Sequence, residues 1–144
     1  MTLTEGLVRL VRAKFVDSND LATASLFVLD TVANALAARN TDPGKILRRW
    51  ATEQGRGQGR DAGRDAFLMG GLVHILETDD LHRASVVHPG CVVVPAVFAV
   101  AGRDGAGGRA VLEAVLHGYE ACCRVGMAVG PAHYRIWHNT ATCG

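Results

Sequence analysis

The chain has 144 residues, 49% of them hydrophobic and 20% charged, with 15 basic against 14 acidic side chains and a formal net charge of +1. A chain of this size and composition forms one globular domain with a core of its own, which excludes a disordered segment. The charge balance gives nucleic acid or an anionic membrane nothing to hold, so neither is expected as a partner.

Helical periodicity runs through the sequence. Leu3, Leu7, Leu10, Val11 and Phe15 predict a first amphipathic helix over 3–15. Asp17-Ser18-Asn19-Asp20 supplies caps for a second, from about Leu21 to Arg39, with Leu21, Ala24, Val28, Val32, Ala35 and Leu36 on one stripe. Asn40-Thr41-Asp42-Pro43 punctuates the chain, and Pro43 suits the first turn of a short helix ending near Thr52. Residues 53–63 read EQGRGQGRDAG, too rich in glycine to hold a helix, and are expected to be a mobile, solvated connector. A helix over about 64–76 follows, and its Met69-Gly70-Gly71 implies close backbone packing against a neighbour. Cys91 to Ala101 is strongly apolar. Its valines suit a strand, but Pro95 and the surrounding pattern favour a helix starting near Pro89 or Pro95. After a glycine-rich turn, a long helix over about 109–129 carries Val111, Leu112, Val115, Leu116, Tyr119 and Cys122 inward until Gly130-Pro131 stops it. The expected architecture is an all-α bundle of about six helices in one domain.

Met1-Thr2-Leu3-Thr4-Glu5 lacks the basic-then-apolar order of a secretory leader, and the run from Cys91 to Ala101 is too short to cross a bilayer. A cytoplasmic location is expected. Cys91, Cys122, Cys123 and Cys143 form no Cys-x-x-Cys pair and are expected to be free apolar fillers.

The chemistry-bearing residues gather in two loops. Between two helices lies Glu77-Thr78-Asp79-Asp80-Leu81-His82-Arg83-Ala84-Ser85-Val86-Val87-His88-Pro89-Gly90. Acids are disfavoured at a helix C-terminus, so Asp79 and Asp80 need a cation, a histidine or the next helix's N-terminus to offset them. His82 and His88 admit three readings: metal ligands beside aspartate, metal-free acid–base groups, or, for His88, a structural residue before Pro89. The spacing matches no compact metal motif, and no metal or cofactor is expected. The second loop, Tyr134-Arg135-Ile136-Trp137-His138-Asn139-Thr140, places His138 beside an aromatic, with Asn139 as a candidate N-cap. His74 and His117 lie within helical patterns and read as core or interface residues. His133 reads as a loop residue, and Glu120 as a partner for Arg124.

Several blocks in fixed order resemble the MmgE/PrpD family, which includes 2-methylcitrate dehydratase, cis-aconitate decarboxylase and iminodisuccinate epimerase. They are His74-Ile75-Leu76-Glu77-Thr78-Asp79-Asp80-Leu81-His82, Val87-His88-Pro89-Gly90, Val94-Pro95-Ala96, Gly118-Tyr119-Glu120, Arg124-Val125-Gly126 and Trp137-His138, with Thr140 and Gly144. Leu29-Asp30-Thr31-Val32-Ala33 also fits, so the resemblance covers about Leu7 to Gly144.

The resemblance implies a helical domain, metal-free proton transfer on small polycarboxylates and a homodimer. It implies His88 and His138 as catalytic histidines, Asp79 and Asp80 as the acidic pair, and Glu77, Leu81, His82, Tyr134 and Trp137 as substrate-facing positions. Glu77 stands where the family pattern has aspartate, and Leu81 where it has threonine. Family members continue beyond the matched part into an α/β lid domain with lysines and a tyrosine that hold carboxylates. The lysines here, Lys14 and Lys45, match none of those. The expectation is a chain truncated to the N-terminal part of the helical domain, acting on a small organic acid or biosynthetic intermediate as a lyase, isomerase or cyclase. The alternatives are one subunit of a split enzyme and a non-catalytic dimeric scaffold. Self-association, or a partner chain supplying the rest of the fold, is expected in either enzyme case.

Overall fold

The computed structural model describes residues 1–59 and 61–144. Among the described residues there are seven helices, and the sole β-type pairing is an isolated bridge between His82 and Val87.

Local capping chemistry sets most of the boundaries. Helix α1, Leu3–Arg12, opens on a capping box between Thr2 and Glu5. It ends three residues before the predicted Phe15, where Lys14 turns to meet Asp20 at 3.2 Å. Helix α2, Ser18–Ala38, has a second capping box in which Asp17 accepts from the Asn19 and Asp20 backbone. Helix α3, Asp42–Gln54, is capped by Thr41 and carries Pro43 in its first turn. It runs two residues into the predicted connector. Asp61, at the far end of that connector, caps α4, Ala62–His74. Arg60, which falls within the expected connector, lies outside the described residues.

Helix α5, Gly90–Asp104, tolerates Pro95 in its interior. Proline there removes the N–H that would have bonded the Cys91 carbonyl. Gly70 of α4 fills the space beside that same oxygen: a Cβ on Gly70 would lie 2.6 Å from it. Gly71 packs on Leu47 of α3 in the same way, so the predicted close approach at Gly70-Gly71 is present on two sides. Gly105 closes α5 in the left-handed region at φ 69°. Helix α6, Gly108–Tyr134, breaks at Gly130 (φ 69°, ψ 179°) and resumes for one turn from Pro131. The predicted stop is therefore a kink. A five-residue α7, Asn139–Cys143, follows.

The core joins Ala24 of α2, Val94 of α5, and Val115, Leu116 and Tyr119 of α6. Phe27 stacks flat on Tyr119, ring centres 4.5 Å apart. The buried face of α2 is Ala24, Thr31, Asn34 and Ala38, and Leu36 of the predicted stripe is 56% exposed. Thr31 and Asn34 can turn inward because each has partners. Thr31 donates to the Phe27 carbonyl, and Asn34 donates to Asp30 and accepts from Thr78. Helix α2 is also long and apolar enough to cross a membrane by length and composition. Here it packs against α4, α5 and α6, and its outer face shows Leu26, Leu29 and Leu36.

Candidate active site

The loop from Ile75 to Pro89 is held at both ends. Thr78 donates to Asn34 of α2 at 2.5 Å. A tight turn closes where His82 N–H donates to the Val87 carbonyl at 2.9 Å, while the His82 Nδ1 meets Ser85 Oγ at 2.7 Å. Helix α7 pins the far side. Asn139 donates to the Ser85 carbonyl at 2.6 Å, and His88 N–H donates to Thr140 Oγ1 at 3.0 Å. Asn139 thus spends its side chain on the loop, and His138, not Asn139, occupies the N-cap position. Glu77 (φ 55°) and Val86 (φ 51°) adopt left-handed backbone, which is strained for a β-branched valine. Both outliers flank the acids and His88.

The adjacent acids face opposite tasks. The Asp79 side chain is fully buried, and both its oxygens lie 3.1 Å from His74 Nδ1. His88 Nδ1 lies 3.5 Å from Asp79 Oδ2. That is ion-pair range without hydrogen-bond alignment, and His88 Nδ1 is buried with no hydrogen-bond partner. Asp80 turns toward the core. Its Oδ1 accepts from Gly90 N–H at 2.9 Å, capping α5 from outside the helix, and its Oδ2 accepts from Tyr119 Oη at 2.8 Å. Burial raises the Asp80 carboxyl above its ordinary range, against the lowering by those two bonds. Burial, then the Asp80 charge, raises the Tyr119 phenol in turn. Of the offsets the sequence called for, a histidine serves Asp79 and a helix N-terminus serves Asp80.

Beside Asp79 opens a cavity of about 610 Å³ between α4, α5 and α7. Phe67, Gly70 and Val92 form apolar wall, and His74, Glu77, Cys91 and His138 bring polar groups to it. Three imidazoles converge beside it, His74 and His138 on the cavity wall. The rings of His74 and His88 meet edge-on at 4.7 Å, and His138 lies 6.3 Å from His74 and 6.5 Å from His88, nearly parallel to the latter. Glu77 Oε1 stands 3.7 Å from His74 Nε2. Tyr134 lies edge-on to His138 at 5.8 Å.

The structure therefore brings together Asp79, His88, His138 and Glu77, with Tyr134 against His138; of these, Glu77 and His138 line the cavity and Asp79 and His88 lie behind its wall. Asp80 sits behind them. His82 is spent on Ser85, while Leu81 and Trp137 are 49% and 64% exposed and form none of the cavity wall. His74 was read from the sequence as a core or interface residue, yet it is the group closest to Asp79. Its signal was its place in the last turn of α4, five residues before a buried acid. A His74 ring nitrogen, an Asp79 oxygen and Cys91 Sγ lie within 4.8 Å of one another, a donor set able to hold a metal. Burial, then the charges of Asp79 and Asp80, pushes the Cys91 thiol up to about 12, so it is no nucleophile as it stands.

The family profile described as MmgE/PrpD N-terminal domain matches residues 7–144. No curated protein matches the chain. With a helical domain, the acid pair and both histidine loops inside the matched span, the chain belongs to the MmgE/PrpD family, of which it carries the N-terminal domain.

Proposed function

We propose that the cavity is a metal-free proton-transfer site, acting as a lyase, isomerase or cyclase on a small organic acid or biosynthetic intermediate. The observation that carries this reading is the shared buried carboxylate of Asp79, between His74 at 3.1 Å and His88 at 3.5 Å, facing His138. A buried carboxylate fixes the ring orientation of an imidazole and stabilises its protonated form. The ring centres of His88 and His138 are 6.5 Å apart, which sets the two imidazoles on either side of one small group. One imidazole can then take a proton as the other delivers one, while Asp80 positions the loop by holding the first turn of α5 and Tyr119. Wash-in of solvent deuterium at the carbon acid of β-hydroxy acids and their amides tests the site. His88→Ala and His138→Ala are each expected to slow exchange about 10²–10⁴-fold. Unchanged exchange in both sinks the reading.

A second reading, that another chain completes the site, is favoured by uncovered apolar side chains beside His138: Ile136 is 76% and Trp137 64% exposed. A scaffold reading has no such observation behind it, since it gives the buried Asp79 and its two imidazoles nothing to do. Co-purification of a chain that raises exchange by the wild type and not by His138→Ala separates the first two. We also propose self-association through the outer face of α2, where Leu26, Leu29 and Leu36 are exposed.

A further inference from the structure

We infer that His74 Nδ1, one Asp79 oxygen and Cys91 Sγ form a zinc site whose fourth position opens on the cavity. The three donors come from the end of α4, the loop and the first turn of α5, and they lie within 4.8 Å of one another. The sequence hides the set, because the ligands are spaced five and twelve residues apart and match no compact metal motif.

The chemistry of the donors selects the ion. One thiolate, one imidazole and one carboxylate suit zinc and its neighbours, whereas magnesium and calcium prefer oxygen alone. Zinc–ligand distances of about 2.0–2.3 Å in a tetrahedron place donors about 3.3–3.6 Å apart. His74 Nδ1 and the Asp79 oxygens, at 3.1 Å, are already near that separation. The widest gap has to close by about 1 Å, which a rotation of the Cys91 side chain can provide. Its Sγ now donates to the His88 carbonyl at 3.2 Å, a weak bond to give up. On binding, the Cys91 S–H proton and any proton on His74 Nδ1 leave to solvent, and sulfur and nitrogen lone pairs fill the metal's coordination sites.

A second observation points to the same place. His88 Nδ1 is buried without a hydrogen-bond partner, 3.5 Å from Asp79 Oδ2. With the metal on one Asp79 oxygen, the other is free to accept from His88, the outer hydrogen bond that a ligating carboxylate commonly has. The cavity supplies the entry path, since His74 and Cys91 both line it.

The functional consequence rests on the proton-transfer reading above. Zinc draws on the Asp79 charge that the proposed site uses to support His88 and occupies the cavity wall at His74, so it acts as an inhibitor. The test uses the full chain and Co²⁺ as a spectroscopic stand-in. One equivalent is expected to bind and give a thiolate-to-cobalt absorption band, which one equivalent of Zn²⁺ abolishes. Cys91→Ser is expected to lose the band, and His74→Gln to weaken binding at least 10-fold. If Cys91→Ser does not fold, His74→Gln and Asp79→Asn carry the decision through the cobalt affinity. A band that survives Cys91→Ser, an affinity untouched by His74→Gln, or binding of no cobalt overturns the site. Cobalt bound through Cys91 with deuterium exchange unaffected by Zn²⁺ leaves the site standing and overturns the supporting role of Asp79 in the proton-transfer reading.

Discussion

Tyr119→Phe removes one hydroxyl and leaves the packing: the ring still stacks on Phe27 at 4.5 Å. What is lost is the 2.8 Å bond to Asp80 Oδ2, leaving the carboxylate with Gly90 N–H alone among its hydrogen-bond donors. A hydrogen bond to a charged group contributes about 1.5–3 kcal/mol, and its loss leaves part of a buried charge unsatisfied. For a chain of this length each kcal/mol moves the midpoint about 2–4 °C, so Tyr119→Phe should lower Tm by about 3–12 °C. Thermal and urea unfolding followed by circular dichroism measure it. Asp80→Asn keeps an acceptor for Gly90 N–H and can donate to the Tyr119 oxygen, so in that background the same change breaks a neutral bond of about 0.5–1.5 kcal/mol. The coupling in the double-mutant cycle should therefore be about 1 kcal/mol or more. Equal costs of Tyr119→Phe in both backgrounds would refute the reasoning that Asp80 acts as a buried anion tying the loop to α6.

Other expectations follow from single contacts. Gly70→Ala places a methyl against the Cys91 carbonyl, a backbone atom that cannot move alone, and should cost about 1–3 kcal/mol in urea unfolding; a neutral result contradicts the close α4–α5 contact. The Asp17 backbone N–H and then the Lys14 ammonium hold the Asp20 carboxyl below its ordinary value. A depressed carboxyl stabilises the fold above the unfolded value of about 3.9 and loses that contribution as pH falls through the folded value. Lys14→Met should therefore fall below wild type at pH about 7 and converge with it at pH about 2.5; a gap that widens in acid reverses the sign. Light scattering should give a mass of at least two chains, and a well-behaved monomer removes the self-association proposal.

What could be read from the sequence was local. Asp17, Thr41 and Pro43 announce helix starts because a cap needs only its own first turn. The inward face of α6 was legible for the same reason, as Val115, Leu116, Tyr119 and Cys122 repeat at helical spacing and are buried. The buried face of α2 was not. Asn34 is turned inward by Thr78, forty-four residues away, a partner no periodicity reveals. His74 reads as a core or interface residue because a histidine within a helical pattern has no local mark of function. Only the fold of the loop returns Asp79 to it. Leu81, His82 and Trp137 show the converse, since nearness in sequence to a site residue does not place a side chain in the cavity.

The two proposed proton carriers are held unequally, and this follows from where their partners lie. His88 is fixed through its backbone by Thr140 and sits behind a loop tied to Asn34, Asn139 and Gly90. Those ties offset the strain at Glu77 and Val86, on the order of 1–3 kcal/mol each. His138 has no side-chain cap bond at the start of α7, is exposed, and touches the edge of the half-exposed Tyr134. A ligand entering the cavity meets His138, free to turn, with the already oriented His88 ring centred 6.5 Å from it. Ordering His138 costs side-chain entropy, up to about 1 kcal/mol. Cover over Ile136 and Trp137 would lower that cost without touching His88. A partner that occupies this surface should therefore change exchange by the wild type and leave that of His138→Ala where it was.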